Sequence, residues 1–319
     1  MKKMKLAMII ATVLILIGGM IFASAMTAHG WDFTKLTTVK YERDTYVFEE
    51  KIENVSLISN TADITVLKST DGKTKVVTYL PEGEKHTVRL FENALLVKSD
   101  DGFNWSTLFS VNFKQPKITL YLPEEEYSSL NIKADTSDVK VSSGFTFDTI
   151  YVKVSTGDVK CGASAKGGLK IKATTGDIHA NDVSAGNIDI TTSTGNIKLK
   201  NINCIGDVKT KMSTGDVELT NVNCKNLTVN GDTGDVELKN VIATEKFYIS
   251  TDTGDVELNS SDASEIRIKT DTGDVEGTIL SEKIFVVRTD TGDINVPSTT
   301  TGGRCEITTD TGDIKIKIK

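Results

Sequence analysis

A tetrad of Thr, Gly, Asp or Asn, and Val or Ile recurs through the second half of this 319-residue chain. Successive glycines are 19 or 20 residues apart, and a degenerate copy, Thr136-Ser137-Asp138, precedes the first by one period. The glycines are Gly157, Gly176, Gly195, Gly215, Gly234, Gly254, Gly273, Gly292 and Gly312. A period of this length is typical of chains that stack one supersecondary unit. The sequence therefore predicts ten coils of 19–20 residues within 130–319.

Each period contains two short runs in which apolar and polar residues alternate, as in Val217-Glu218-Leu219 and Leu227-Thr228-Val229. Such alternation is typical of half-buried strands, and no run beyond the N-terminal segment has a helical period. Two strands and two turns cannot bury their apolar faces alone, but stacked copies can. We therefore predict an all-β fold, a parallel β-solenoid resembling a β-helix.

Turn chemistry explains the most regular positions of the repeat. A tight turn with positive φ favours glycine, and the neighbouring Asp or Asn hydrogen-bonds turn amides. A second column, Asn201, Asn221 and Asn240, lies six positions after the glycine and is predicted to adopt the left-handed conformation at the opposite turn.

Residues 31–129 lack the strict period but still contain β-type runs separated by turn residues. The segment Asn60–Ile64 reads as a degraded turn with Ala in place of Gly. Because the ends of a solenoid expose strand edges, we interpret 31–129 as an irregular β module that caps the membrane-proximal end of the 130–319 repeat domain.

The first 28 residues predict a membrane segment. Residues 1–5 form a basic tip, and residues 6–28 contain no charge. This length is close to the ~20 residues that cross the hydrocarbon core, and the preceding lysines favour a cytoplasmic N-terminus. A cleavable signal peptide, processed at Ala23-Ser24-Ala25, is the alternative. Both interpretations place the later residues outside the cell, and the first predicts a single-pass membrane protein.

The chain resembles a known bacterial family in these features. The Thr-Gly-Asp-Val/Ile coils, the phrase Ile118-Thr119-Leu120-Tyr121-Leu122-Pro123 before them and the N-terminal anchor are similar to those of the β-strand-repeat proteins called the "putative adhesin" family, which includes the LiaG-like cell-envelope proteins. The resemblance covers roughly residues 31–319. It implies an envelope β-solenoid and carries over no catalytic residues.

One outward column of the predicted sheet carries banded charge. The residue three places after each glycine is Lys or His in the early coils, Glu in four consecutive coils, and then Asn295 and Lys315 in chain order. A solvated surface explains this column, and so does a binding stripe for a partner of complementary charge. The net charge of −7 argues against nucleic acid as that partner. The candidate stripe is Glu218, Glu237, Glu257 and Glu276.

The later turns place an Asp on each side of Thr-Gly. Stacked carboxylates on one edge resemble the calcium-binding β-roll, and Ca²⁺ takes six to eight oxygen ligands. The β-roll pattern Gly-Gly-x-Gly-x-Asp is absent, and hydrogen-bonded turn ladders are the alternative. We predict no cofactor and leave calcium open. The ten carboxylates are Asp232, Asp235, Asp252, Asp255, Asp271, Asp274, Asp290, Asp293, Asp310 and Asp313.

Two further features bear on chemistry. Cys204 and Cys224 occupy one column of consecutive coils, within range of a disulfide or stacked as free thiols. Asp-Thr-Gly matches the aspartic-protease tripeptide, but five copies at one period identify a turn. A catalytic site should interrupt the repeat, which happens only at Gly277 and at 297–303. We predict that the chain is not an enzyme, with a polysaccharide-active β-helix as the minor alternative.

Together these features predict a membrane-anchored extracellular solenoid with a non-catalytic interaction role. One hypothesis is an adhesin-like module that binds cell wall or another surface ligand. The other is an accessory of envelope-stress signalling that binds a neighbouring envelope protein. A calcium-stabilised or polymerising surface scaffold is a further alternative, and the oligomeric state is left open.

Overall fold

The computed structural model describes residues 2–32, 39–100 and 114–319. Within them the chain forms one helix and 24 strands, so the predicted all-β solenoid with one N-terminal apolar helix is confirmed. Helix α1 covers Lys2–Ala28, and its part Met8–Ala28 is long and apolar enough to cross a membrane. Residues 33–38 and 101–113 of the predicted membrane-proximal module lie outside the described residues.

The strands form two sheets that meet at the Thr-Gly-Asp turns, and from β6 onward the chain alternates between them. Their bounds are β1 Tyr41–Phe48, β2 Asn54–Ser59, β3 Asp63–Lys68, β4 Thr74–Pro81, β5 His86–Phe91, β6 Ala94–Ser99, β7 Lys117–Leu122, β8 Glu126–Thr136, β9 Val139–Val141, β10 Thr146–Thr156, β11 Val159–Cys161, β12 Ser164–Thr175, β13 Ile178–Thr191, β14 Ile197–Cys204, β15 Asp207–Lys211, β16 Val217–Asn230, β17 Val236–Thr253, β18 Val256–Asn259, β19 Asp262–Thr272, β20 Val275–Ile279, β21 Lys283–Thr291, β22 Ile294–Asn295, β23 Gly303–Thr311 and β24 Ile314–Ile318.

The pre-glycine sheet contains the strands that lead into the turns, in the spatial order β5-β6-β2-β8-β10-β12-β13-β15-β16-β17-β19-β23-β21. The post-glycine sheet contains those that leave them, in the order β1-β4-β7-β3-β9-β11-β13-β14-β16-β17-β18-β20-β24-β22. β13, β16 and β17 are long enough to contribute to both sheets. All pairings are parallel except those of β1, β4 and β5 at one end.

Strand alternation places the core between the two sheets. In one coil Val217 and Leu219 of the post-glycine sheet and Leu227 and Val229 of the pre-glycine sheet are completely buried. The neighbouring coils present the same positions in register, and one apolar cluster extends from Ile52 to Ile316. Burial of each such side chain contributes ~1.5–3 kcal/mol, so stacking supplies the stability that a single coil lacks.

The sheets continue from the repeat into the N-terminal module. β2 pairs with β8 and β3 pairs with β9, while the N–H of Ile64 donates to the carbonyl of Asp138 at 2.9 Å. The segment Asn60–Ile64 therefore forms a turn equivalent to those of the repeat, as its sequence predicts. The division into units at 31–129 and 130–319 stays a prediction, since hydrogen bonds join the strands on either side of it.

Coil order in space differs from chain order at both ends. The coil β2/β3 lies between β6/β7 and β8/β9. At the other end the C-terminal coil β23/β24 lies between β19/β20 and β21/β22. The chain thus runs from β19/β20 to the end coil β21/β22 and then returns to form β23/β24 between these two coils. The C-terminal coil is therefore internal.

Candidate functional site

The Thr-Gly-Asp turns form a narrow edge where the two sheets meet. At Gly215 φ is +137°, and a Cβ atom there would lie 2.2 Å from the carbonyl oxygen of Gly195 in the neighbouring coil. The N–H of Gly215 donates to the carbonyl of Thr233 at 3.0 Å, which ties this turn to the next coil. Both the backbone conformation and the close approach require glycine, so the predicted reason for the repeated residue is confirmed.

The Asp or Asn after each glycine joins adjacent turns. Asp235 Oδ1 accepts the N–H of Asp255 at 2.9 Å, and Asp255 Oδ1 accepts the N–H of Asp274 at 2.7 Å. Asn196 takes the same position, so an amide oxygen also serves. This turn ladder runs in spatial order through Asp63, Asp138, Asp158, Asp177, Asn196, Asp216, Asp235, Asp255, Asp274, Asp313 and Asp293.

At the distal end of the turn ladder, the pKa of one carboxyl group, that of Asp313, is shifted. The carboxylate of Asp313 accepts the N–H of Asp293 at 2.9 Å and Lys315 Nζ at 2.7 Å. These two donors, the backbone N–H first, lower the pKa of Asp313 below its usual value. A carboxylate that accepts a backbone amide is stabilised in its charged form, so these two donors favour the charged form of Asp313.

The other predicted Asp column precedes Thr-Gly and is partly paired with basic side chains. Asp271 accepts Lys269 Nζ at 2.8 Å, and Asp290 accepts Arg288 at 2.9 Å. The remaining members, Asp232, Asp252 and Asp310, are exposed on the same edge. Among residues 2–32, 39–100 and 114–319, no three His, Cys, Asp or Glu side chains are grouped closely enough to hold a metal ion. Calcium binding at these turns stays an open alternative to the hydrogen-bonded turn ladder.

The predicted Glu stripe is one continuous column on the outer face of the post-glycine sheet. Glu218, Glu237, Glu257 and Glu276 are direct register partners on β16, β17, β18 and β20, and we call these four residues the acidic band. Each follows a turn-ladder Asp by two residues along the chain, as Glu237 follows Asp235. The band is therefore flanked by a second row of carboxylates.

A basic stretch adjoins the acidic band toward the N-terminal module. Lys140, Lys160, His179 and Lys198 occupy the same column in successive coils. Lys198 Nζ lies 2.7 Å from Glu218 Oε2, and this contact, with its Coulombic attraction, raises the pKa of Lys198. The structure thus brings the predicted charged residues into one line with a sharp change of sign.

The far end of that column differs from the prediction. The sequence predicts Asn295 and then Lys315 after Glu276, whereas Glu276 pairs with Lys315 and Lys315 pairs with Asn295. That predicted order is wrong because β24 lies between β20 and β22. Lys315 consequently borders the acidic band directly, and Glu276 contributes to its raised pKa after Asp313.

All four cysteines are buried free thiols. Cys204 Sγ donates to the carbonyls of Gly186 and Asp207, both at 3.5 Å, so the structure has the thiol alternative rather than a bridge to Cys224. Burial raises the pKa of Cys224 to about 12 and that of Cys305 to about 12. A protonated, buried thiol is a poor nucleophile, which fits core packing.

Sequence reasoning missed a buried ion pair near the distal end. Lys283 Nζ on β21 lies 2.7 Å from Asp262 Oδ1 on β19, and both side chains are nearly inaccessible. Ser281 Oγ donates to Asp262 Oδ2 at 2.6 Å and accepts a hydrogen bond from Lys283. The interruption of the repeat at Gly277 and 297–303 is the sequence feature that points to this region. Thr299 of the insertion donates a hydrogen bond to the Lys283 carbonyl.

Comparison with known proteins gives a family and a fold. The chain matches the family described as Toastrack DUF4097 over residues 52–211 and 203–319. No curated protein matches it. A "putative adhesin" of Parabacteroides merdae is similar in structure, with a TM-score of 0.50 at 12% identity over 74% of this chain and 96% of that one.

Two proteins of Parabacteroides distasonis are similar at lower scores. One, described as a "putative adhesin", has a TM-score of 0.48 at 15% identity over 84% of this chain and 97% of that one. The other, described as a "putative lipid binding protein", has a TM-score of 0.48 at 13% identity over 86% of this chain and 97% of that one.

Proposed function

We propose, starting from the fact that this chain belongs to the Toastrack DUF4097 family, that it is a non-catalytic interaction protein of the cell envelope. In this proposal α1 anchors the chain in the membrane with the N-terminus inside. The solenoid lies outside the cell and presents its acidic band to a cationic segment of a neighbouring envelope protein. The alignment of the four Glu side chains on consecutive strands is the observation that carries the proposal.

The acidic band favours a cationic partner on electrostatic grounds. Neighbouring strands lie ~4.8 Å apart, and two like charges at that distance repel by ~1 kcal/mol in water. Within the described residues Glu237, Glu257 and Glu276 form no ion pair. A basic segment that lies along the column relieves this repulsion at every coil, and complementary charge also speeds and orients association.

A protein partner fits the acidic band better than a glycan. The outward residues two positions further along these strands are Thr220, Lys239, Asn259 and Thr278. None is aromatic, so the face has no flat apolar platform of the kind on which sugar rings stack. This composition favours the signalling-accessory hypothesis over wall binding, and adhesion to a glycan remains the second candidate.

In-cell photo-crosslinking from Asn259, which is adjacent to the band, tests the proposal. We expect capture of a discrete membrane or envelope protein by a basic segment. Glu218→Gln, Glu237→Gln, Glu257→Gln and Glu276→Gln together should reduce the captured protein at least tenfold. Capture of wall polymer would support the glycan alternative.

A matched variant controls for net charge. Glu245→Gln, Glu265→Gln, Glu282→Gln and Glu306→Gln remove the same four charges outside the acidic band. We expect this variant to crosslink like the unmodified chain. Equal loss in both variants, or no loss in the band variant, would show that the acidic band does not bind the partner.

A further inference from the structure

The distal end of the solenoid has an open strand edge. β21, Lys283–Thr291, pairs with β23 on one side, and no strand among the described residues pairs with its other side. Its outward side chains Ile284 and Val286 are 46% and 47% exposed. An edge strand with apolar side chains and free peptide groups is a template for another strand unless charges or bulges block it.

At these two outward positions β21 has aliphatic residues where its nearest neighbours in the stack have charged ones. Val286 pairs with Glu306, whose other neighbour in the column is Arg267. Ile284 pairs with Arg304. The edge strand β1 at the opposite end carries three consecutive exposed charges, Glu42, Arg43 and Asp44. The exposed charges of β21, Arg288 and Asp290, lie in its C-terminal part and pair with each other, so the segment around Ile284 and Val286 has no exposed charge.

The chain contains a more polar coil and buries it. In chain order β23/β24 would be the end coil and would display Arg304, Glu306, Lys315 and Lys317. Instead it lies inside, and β21/β22 with its exposed Ile294 forms the end. The coil with charges at the positions of Ile284 and Val286 is therefore internal, and the end strand β21 presents two apolar side chains there.

Specific contacts hold this arrangement in place. The Lys283–Asp262 pair joins β21 to β19 across the inserted β23. Gly303 of β23 pairs with Lys283, and a Cβ atom on it would lie 1.7 Å from the carbonyl of Ser264. Thr299 and Thr301 of the returning segment bond to the Lys283 carbonyl and to Glu282. The exposed edge is thus a fixed feature of the fold.

The shape of the end selects a single strand as its occupant. β21 offers nine residues for pairing, whereas β22 contains only Ile294 and Asn295 before Pro297 turns the chain away. A second solenoid stacked end to end would need long edges on both sheets, and proline has no N–H to donate. One extended peptide needs only the edge of β21.

We propose that β21 is a strand-addition site for an extended segment of another protein, with β-branched or other apolar side chains at alternate positions. Backbone hydrogen bonds to β21 supply the binding, and contacts with Ile284 and Val286 supply the preference for apolar side chains. This site is at the end of the stack, and the proposal does not depend on the acidic band.

A peptide display library of random twelve-residue sequences, selected on the full chain in lipid nanodiscs, tests the proposal. We expect enrichment of sequences with alternating apolar residues and no central proline. Ile284→Lys with Val286→Lys should weaken binding of the enriched peptides at least tenfold. Asn226→Lys with Thr228→Lys places the same charges at the equivalent positions of internal strand β16 and should leave binding unchanged.

Hydrogen exchange locates the bound peptide. An enriched peptide should slow exchange in Lys283–Thr291 of the full chain and leave internal strands as they were. The proposal is overturned by three results: no enriched motif, enriched peptides that bind the Ile284→Lys, Val286→Lys variant equally well, or a dimer in sedimentation that this variant abolishes. The last result would make a second copy the occupant.

Discussion

At the scale of single residues, the turn edge combines a steric requirement with a hydrogen-bond requirement. The glycine is needed because the preceding coil leaves no space for a Cβ atom, as at Gly215. The residue after it is needed because its side-chain oxygen accepts the next turn's amide, as at Asp216 and Asp235. Because each coil uses its neighbour for both purposes, the same residues recur at every turn.

Gly215→Ala should destabilise the solenoid more than the same change at Gly168, which lies outside the turns. The new Cβ would meet the Gly195 backbone at 2.2 Å with φ at +137°. Strained backbone of this kind costs ~1–3 kcal/mol even before the contact is relieved. Gly168→Ala is the control, because its Cβ would find its nearest neighbour at 3.9 Å. Chemical denaturation should show a lower free energy of unfolding only for Gly215→Ala, and equal losses would contradict the steric argument.

At the scale of the elements, the sequence predicted the coils but not their order. Alternation such as that of Val217-Glu218-Leu219 defines a strand and its buried face, and the structure has both. The turns at Gly273, Gly292 and Gly312 carry the same Asp-Thr-Gly-Asp sequence and make the same ladder contacts. The repeat period alone therefore cannot tell whether the coils stack in chain order or with the C-terminal coil β23/β24 inserted before β21/β22. The distinguishing contact is the Lys283–Asp262 pair, which no periodic pattern reveals.

Engineered cysteine pairs should report the coil order directly. Glu276→Cys with Lys315→Cys places thiols on adjacent strands, so we expect rapid oxidation to a disulfide. Glu276→Cys with Asn295→Cys places them two strands apart, ~10 Å, which is beyond disulfide reach. Glu237→Cys with Glu257→Cys is the positive control, because these positions are adjacent in either order. Faster oxidation of the 276/295 pair than of the 276/315 pair would establish chain order instead.

At the scale of the whole molecule, charge is distributed by coil rather than at random. The sequence predicted the acidic band because a fixed period converts spacing into register, and the four Glu residues do pair directly. It did not predict that Lys315 borders Glu276, since that contact depends on the coil exchange. Nor did it predict the apolar edge at β21, because that strand ends 28 residues before Lys319 and chain order would place another coil beyond it.

The response to calcium separates the two explanations of the turn carboxylates. Oδ1 of Asp235, Asp255 and Asp274 already accepts a backbone N–H, and Lys269 and Arg288 neutralise part of the neighbouring Asp column. These contacts leave few oxygens for an ion that prefers six to eight. We therefore expect the melting temperature of the full chain to be the same in millimolar calcium and in chelator. A site that held the ion in the folded chain alone would add ~2.7 kcal/mol at a hundredfold excess over Kd. A clear rise in melting temperature with calcium, absent with magnesium, would therefore mean that the turn carboxylates bind the ion.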